Sequence, residues 1–583
     1  MELCMNYKEL YNEWLENPYF DEETKEELRA IENDEKEIEE RFYKELEFGT
    51  AGLRGIIGAG TNRMNFYTVG KATQGLANYI IKQNGQDRGV AIAYDSRNMS
   101  PEFADAAALC LAANGIKAYV YDALRPTPML SFAVRELGYI SGINITASHN
   151  PAEYNGYKVY WEDGAQVTPP HDEGITAEVN TIDITEAKTM DKQEAIDKGL
   201  YIQIGGDIDD KYIAAIKKVV KQQGAIDKVK DKLKIVYTPL HGTGNIPVRR
   251  VLDELGFTNV YVVKEQELPN GDFPTCPYPN PEDPQTFELA VKLGTEVDAD
   301  LLMATDPDAD RIGIYVRGEE RGQYIPLTGN MQGCLLCEYE LDVMNVEGTI
   351  PEDGTIIKTI VSTNMANDIA DYYNVDCIET LTGFKYIGGK ILEFEKSGHG
   401  TFVAGFEESY GYLVGTHARD KDAVVAATVF SEAAAYYKQW DISLWDKIKE
   451  LYWRYGYWRD KTESITLKGK EGIEKINNTI EKLRENPPKD LAGIPTKIFK
   501  DYKFGTVKNF ETGEESETGL PKSNVLYFEF DCDCAAWLAI RPSGTEPKLK
   551  FYYGLKGQTE EEADEKIAKL GEATINMVNE MLK

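Results

Sequence analysis

A chain of 583 residues is too long for one hydrophobic core, and its length implies about three to five domains. Its 42% hydrophobic and 11% aromatic content is that of a soluble globular protein. The net charge of −34 argues against nucleic acid or an anionic membrane as partner, and any anionic substrate then needs its own local cluster of Arg, Lys and backbone N–H groups.

The N-terminus has neither a basic n-region nor an apolar h-region, and residues 423–430 are too short an apolar run to span a bilayer, so the expected compartment is the cytoplasm. Residues 1–47 are charged and helix-patterned, from Tyr7 to Leu15 and from Glu22 to Leu46, which predicts a helical cap. From Gly49 onward strands and helices alternate, the signature of α/β layers. Three segments share an outline of strand, helix and strand: 90–95 with 117–121, 234–238 with 259–263, and 356–362 with 376–379. Each is followed by a late strand that delivers a polar loop and returns. The deliveries are residues 144–149, 301–306 and 401–407; the returns are 157–160, 312–316 and 412–414. This threefold outline predicts internal triplication, with the three loops beyond strand ends where α/β layers bind ligands. After about residue 455, Tyr-, Phe- and Leu-rich strands precede an amphipathic helix from Glu560 to Leu582, a separate α+β domain. The expected divisions are residues 1–205, 206–323, 324–455 and 456–583. Cys334 and Cys337, in a helix-period segment, read as buried core thiols, as do Cys532 and Cys534 alternating along a strand.

Ser148, in Thr-Ala-Ser-His-Asn-Pro, sits where a strand runs into a helix-averse Asn-Pro step, with His149 beside it and Lys158 on the return strand. A hydroxyl so presented is placed to carry a group covalently. Asp306-Pro-Asp308-Ala-Asp310-Arg311 offers three carboxylates that repel one another unless a cation sits among them, and a hard oxygen site favours Mg²⁺. An EF-hand is ruled out, since its Gly and Glu positions hold Arg311 and Arg317. An aspartyl-nucleophile phosphatase acting through Asp306 stays open on the loop alone, but leaves Ser148 without a role. Gly405-Phe406-Glu407-Glu408-Ser409-Tyr410-Gly411 carries groups suited to vicinal sugar hydroxyls. Arg541-Pro542-Ser543-Gly544-Thr545-Glu546-Pro547-Lys548 suits an anion. Lys385 and Arg54 lie on Gly-containing loops. His241 is a weaker candidate, and His171, His399 and His417 have no evident partners.

Together TASHNP, DPDADR, GFEESYG and RPSGTEPK, in order and with FGTAGLRG upstream, resemble the α-D-phosphohexomutase superfamily from about Gly49 to the C-terminus. GFEESYG and RDKD (Arg419 to Asp422) are similar to the branch of long bacterial α-phosphoglucomutases and animal phosphopentomutases. The resemblance implies four domains around a cleft, three mixed α/β and the last TATA-binding-protein-like. It implies a phosphorylated Ser148 that ligates Mg²⁺ with Asp306, Asp308 and Asp310. Glu407 and Ser409 match the sugar-binding loop, and Arg541, Ser543, Gly544 and Thr545 the clamp on the substrate's own phosphate. Arg54, His149, Lys158, Arg311 and Lys385 match cationic residues around the transferring group. The activity implied interconverts glucose 1-phosphate and glucose 6-phosphate through glucose 1,6-bisphosphate, which also activates. Phosphopentomutase, phosphomannomutase and glucose 1,6-bisphosphate synthase are the alternatives within the class. A small phosphosugar is the expected partner, with no nucleic acid, membrane or protein partner.

Overall fold

The computed structural model describes residues 6–49, 52–467, 469–543 and 548–583. The chain divides into two compact units. One runs to Leu327 and takes in Ile387–His399 and Ser409–Leu444; the other comprises Thr328–Tyr386, Gly400–Glu408 and Trp445–Lys583.

The first unit opens with helices α1 (Tyr7–Glu16), α2 (Glu22–Ala30) and α3 (Glu35–Phe42), each begun by a side-chain cap from Asn6, Asp21 or Asp34. The helix-patterned stretch from Glu22 to Leu46 forms two helices, because Asp34 accepts from the Glu37 N–H and restarts the chain after a turn. Folding back lets Leu28, Ile38 and Phe42 close a small core with Tyr11, Trp14 and Phe20, in which Trp14 stacks on Phe20 at 4.1 Å.

Two sheets follow in the same unit. Strands β1 (Gly52–Ile56), β2 (Val90–Tyr94), β3 (Ala118–Tyr121), β4 (Ser141–Ile145), β5 (Tyr154–Trp161) and β6 (Tyr201–Ile204) form the order β1-β5-β4-β2-β3-β6. Strands β7 (Ile235–Thr238), β8 (Val260–Val262), β9 (Leu301–Thr305), β10 (Ile312–Arg317) and β11 (Tyr324–Leu327) form β11-β10-β9-β7-β8. In both, a parallel trio (β4-β2-β3 and β9-β7-β8) is extended by one antiparallel return strand, β5 or β10. The inner strands are enclosed by packing on both faces, as β2, β4 and β9 show by burying almost every residue. Helices Phe66–Lys82 and Ser100–Ala113 supply Val69, Leu76, Phe103 and Leu111 to the core beneath Ile92, Ile143 and Ile145.

In the second unit, β12 (Gly354–Thr359), β13 (Asp376–Thr380) and β14 (Thr401–Glu407) give the same parallel trio a third time, as β14-β12-β13. The segment expected to return next in sequence forms β15 (Gly411–Val414), which belongs to the first unit. The C-terminal sheet is antiparallel, its long edge pair formed by β16 (Tyr457–Thr466) and Lys548–Gly557. Alternation splits its residues by face. Leu526, Phe528, Leu538, Ile540 and Phe551 meet Ile476, Ile480, Ile567 and Leu570 of the helices Gly469–Glu485 and Glu560–Leu582. Tyr527, Trp537, Ala539 and Tyr552 meet Ile360, Val361 and Leu381 on the other side. Mixed α/β units followed by an α+β domain are the expected fold class. Among the described residues, no helix is long and apolar enough to cross a membrane.

One cysteine expectation is corrected. Cys532 and Cys534 are joined by a disulfide, with Cα atoms 5.1 Å apart. The strand ends at Phe530, and the turn that follows draws the two Cα atoms closer than the roughly 6.6–7 Å that separates residues i and i+2 of an extended strand, within reach of a disulfide. Cys334 and Cys337 are buried free thiols on the helix Gly329–Glu347, as expected.

On β16, Asp460 lies opposite Gly554, where a Cβ would come within 2.3 Å of its Oδ1. That oxygen is buried and has no hydrogen-bond partner among the described residues. Burial pushes the carboxyl up to about 7, against the opposing pull of the Thr363 hydrogen bond and the Lys358 and Arg459 charges. The folded protein therefore keeps a proton that the unfolded chain releases near pH 4, and this contribution to stability is lost as pH rises from about 4 to 7. Asp460→Asn is expected to be more stable than the parent by about 1–3 kcal/mol at pH 8. The advantage shrinks toward pH 5, measurable as urea midpoints at the two pH values.

Candidate active site

The first polar loop leaves the buried end of β4. Thr146 donates its hydroxyl to Asp95 Oδ2 at 2.6 Å and accepts the Ser148 N–H at 2.8 Å, which turns the chain sharply. Ser148 lies at φ +51°, a left-handed backbone that a non-glycine residue adopts only under constraint. Its hydroxyl donates to Asp306 Oδ2 at 2.8 Å and lies 3.1 Å from His149 Nδ1. The return strand passes so close that a Cβ at Gly156 would fall 2.5 Å from the Thr146 carbonyl oxygen, so only glycine fits. His149 packs edge-on to Tyr278, and burial, then the Arg311 and Arg54 charges, hold its imidazole well below the usual histidine range. Arg54 reaches the same loop through Asn150 Oδ1 at 3.5 Å.

The second loop joins β9 to β10. Asp306, Asp308 and Asp310 are buried, and one carboxylate oxygen from each lies within 4.8 Å of the others. Asp306 Oδ1 accepts the N–H groups of Asp310 and Arg311, each at 3.1 Å, and Ala309 at φ +49° makes the tight return possible. Lys158 reaches across from β5 to donate to Asp308 Oδ2 at 2.8 Å and Asp310 Oδ2 at 3.3 Å. Burial, then the neighbouring Asp308 and Asp310, push the Asp306 carboxyl well above the usual range. At Asp310 burial acts the same way but is outweighed by Lys421, Lys158 and Arg311, which hold that carboxyl low. Burial disfavours the charged Lys158, yet Asp308 and Asp310 overcome it and raise the ammonium.

The structure thus brings Ser148, His149, Lys158, Arg54, Asp306, Asp308, Asp310 and Arg311 together. Arg311 is engaged by Glu282 Oε1 at 3.0 Å. Asp308 Oδ1 and Asp310 Oδ1 are buried without hydrogen-bond partners among the described residues. Two orphaned carboxylate oxygens beside a third carboxylate are the donor set of a hard divalent cation, so the residues fit Mg²⁺.

The second unit holds its own group. Glu407, at the end of β14, is buried and accepts the Gly383 N–H at 2.8 Å. Burial, then the charge of Glu407, pushes its neighbour Glu408 up to about 7, partly offset by the Thr359 hydroxyl and Arg541. Lys385 opens the helix Phe384–Ser397, its ammonium 5.4 Å from the centre of the Tyr386 ring. Ser543 N–H donates to the Lys548 carbonyl at 2.7 Å. Gly544 and Thr545 lie outside the described residues. In the first unit, Ser409 precedes Tyr410, whose carbonyl accepts the Ile312 N–H at 3.1 Å.

Three residues given no role by the sequence line the first site. Lys421 lies 3.3 Å from Asp310 Oδ2 and 3.0 Å from Asp420 Oδ1. The one available signal was its place in RDKD, just before Asp422 caps the helix Ala423–Lys438. Thr127 donates its N–H to the Asp308 carbonyl and its hydroxyl to Asp308 Oδ2, at 2.9 and 2.8 Å. Arg97 lies beneath the Ser148 loop. Conversely, His241 is a support rather than a reacting group. Its ring nitrogens engage the Leu268 carbonyl and the Thr275 hydroxyl, and its neighbour Gly242 lies against Pro307 of the metal loop. His171 and His417 do have partners, Tyr79 and Asp422.

Three copies of one strand order, a buried serine hydroxyl and an aspartate cage define a phosphosugar-mutase type of protein. The sequence matches phosphoglucomutase/phosphomannomutase α/β/α domain I over residues 45–186, domain II over 210–319 and domain III over 328–455. The chain belongs to this family. It is 36% identical to phosphoglucomutase of Staphylococcus saprophyticus over 547 residues, covering 94% of this chain and 95% of that one. Phosphoglucomutase of Staphylococcus aureus strain USA300 is 37% identical over 536 residues, covering 91% and 94%. Among solved structures, parafusin, a phosphoglucomutase of Paramecium in its open form, superposes with a TM-score of 0.66 at 17% identity, covering 93% of this chain and 95% of that one. A family protein of Burkholderia thailandensis gives 0.65 at 18% identity, covering 92% and 97%. These last two bear on the fold alone.

If the three carboxylates hold a divalent cation, Mg²⁺ at about 100 times its Kd should stabilise the first unit by about 2.7 kcal/mol. Thermal unfolding with and without MgCl₂ checks this. Asp308→Asn should abolish most of the shift, and an equal shift in that variant would place the cation elsewhere.

Proposed function

We propose that this enzyme is a cytoplasmic phosphoglucomutase, carrying a phosphoryl group on Ser148 Oγ between glucose 1-phosphate and glucose 6-phosphate. The observation that carries the reading is the Ser148 hydroxyl, 2.8 Å from Asp306 Oδ2 in a chain 36–37% identical to staphylococcal phosphoglucomutases over some nine-tenths of its length. In the forward step the Ser148 Oγ–P bond breaks and a bond forms from phosphorus to the free hydroxyl oxygen of the sugar, giving glucose 1,6-bisphosphate. The hydroxyl proton passes to a base. The sugar O–P bond of the other phosphate then breaks as Ser148 Oγ takes that phosphoryl group, and the base returns its proton to the sugar oxygen left behind, which recovers the phosphoserine and releases the isomer.

Asp306, Asp308 and Asp310 would hold Mg²⁺, which supplies charge neutralisation at the phosphoryl oxygens when bound, with Ser148 as a further ligand through its phosphate. His149, with Nδ1 3.1 Å from Ser148 Oγ, is assigned the proton; Lys158 is already committed to Asp308 and Asp310. Lys158, Arg54, Arg311 and Lys385 are assigned to anionic oxygens of the transferring group. In the same reading, Glu407 and Ser409 hold sugar hydroxyls, and Arg541 and Ser543, with Gly544 and Thr545, hold the distal phosphate. The four divisions 1–205, 206–323, 324–455 and 456–583 then carry the nucleophile, metal, sugar and phosphate loops in turn.

Ser148→Ala is expected to lose about 10⁴-fold or more in kcat, assayed with glucose 1-phosphate and catalytic glucose 1,6-bisphosphate. Peptide mapping should find one phosphate on Ser148 of the parent and none on the variant. Parallel kcat/KM values on glucose, mannose and ribose 1-phosphates decide the sugar, and a preference for mannose or ribose would overturn the assignment to glucose.

A further inference from the structure

Arg97 has no part in the chemistry above, yet it is fully buried directly beneath the nucleophile loop. One terminal nitrogen of its guanidinium donates to the carbonyls of Pro151 and Tyr154, at 2.8 and 3.2 Å. The other donates to the carbonyl of Ser148, at 2.5 Å, and to that of Asn150. Four carbonyls of one seven-residue loop are thus gathered by one planar group, and its Nε lies 3.3 Å from Asp95 Oδ2. Asp95 is fixed in turn by the Arg97 N–H, the Ser100 hydroxyl and the Thr146 hydroxyl. The Phe273 ring, its centre 5.0 Å from the guanidinium carbon, closes the far side.

We infer that Arg97 is a positioning residue for Ser148, holding the left-handed backbone of the loop so that the hydroxyl points at Asp306. Backbone at φ +51° is disfavoured for a non-glycine residue, so left alone the loop would relax and swing the hydroxyl away. The carbonyls turned inward by this conformation need donors, and five N–H groups in a rigid fork meet them where the three of an ammonium do not. Asp95 links both ends of the device, since the same carboxylate that pairs with Arg97 anchors the Thr146 hydroxyl on which the Ser148 N–H rests. The inference rests on Ser148 being the phosphoryl carrier.

The test uses the full chain with Arg97→Lys and Arg97→Gln, compared with the parent in Tm, steady-state kinetics, Ser148 phosphate content and amide hydrogen exchange of residues 148–154. For a displaced nucleophile kcat is expected to fall about 10²-fold with KM within about threefold, because binding groups elsewhere are untouched. Ser148 should take up phosphate from glucose 1,6-bisphosphate slowly, and exchange in 148–154 should speed at least about tenfold while the rest of the unit keeps its protection. Arg97→Lys with near-parental kcat, or a loss confined to KM, would overturn the inference. So would failure of both variants to unfold cooperatively near the parental Tm, which would make Arg97 a folding residue. If the parent itself takes no phosphate on Ser148, the carrier reading fails. Amide exchange in the variants then decides the positioning role alone, unchanged exchange overturning it.

Discussion

Three carboxylates held within 4.8 Å of one another, in the interior, repel by roughly 3 kcal/mol per ionised pair even at an effective dielectric near 20. The first unit is arranged to offset that cost. Lys158 comes from the return strand of the first sheet and Lys421 from the segment before the helix Ala423–Lys438. Thr127 contributes a hydroxyl and an N–H from the start of another helix. These groups are far apart in sequence, and the carboxylates make them neighbours. Asp306, the aspartate without a lysine, has its carboxyl pushed upward, and it accepts the Ser148 hydroxyl. That hydrogen bond pins the nucleophile loop to the metal loop.

The repeated strand order shows how such a site grows from one topology. In β4-β2-β3, β9-β7-β8 and β14-β12-β13, the strand reached last in sequence lies on the same side of the parallel trio and ends in the variable loop. The exit loop joins that strand to its antiparallel return strand, and its composition changes from copy to copy: Thr-Ala-Ser-His-Asn-Pro after β4, Asp306 to Arg311 between β9 and β10. The three sheets share that trio, whatever strands extend them, and the exit loop is where their chemistry differs. Evolution by loop replacement needs no more than this.

Much of the architecture was legible in the sequence because its signals are local. The apolar run of β4 ending at Thr146, the alternation in the C-terminal strands and the periodicity from Glu560 to Leu582 each depend on neighbours a few residues away. The break at Asp34 is not marked in the pattern, because charge-rich helical periodicity continues through it, and only packing of Leu28 against Ile38 and Phe42 needs the fold-back. The Cys532–Cys534 disulfide was missed because a turn and a strand end look alike over three residues.

By itself the sequence determined the α/β repeat, the serine on its strand end, the aspartate loop and the family to which they belong, since those are written in contiguous motifs. The tertiary structure alone decided which cations face the carboxylates. Arg97 stands in an ordinary-looking stretch, and Lys421 in a motif that names no partner; their roles depend on contacts with the carbonyls of the Ser148 loop and with Asp310. Ion pairs and hydrogen bonds between residues 50 to 150 positions apart leave no periodic trace in the chain. They exist only once the sheets have docked and a buried charge must find its partner. For Ser148, the motif named the residue, and its backbone conformation, aim and support came from the fold.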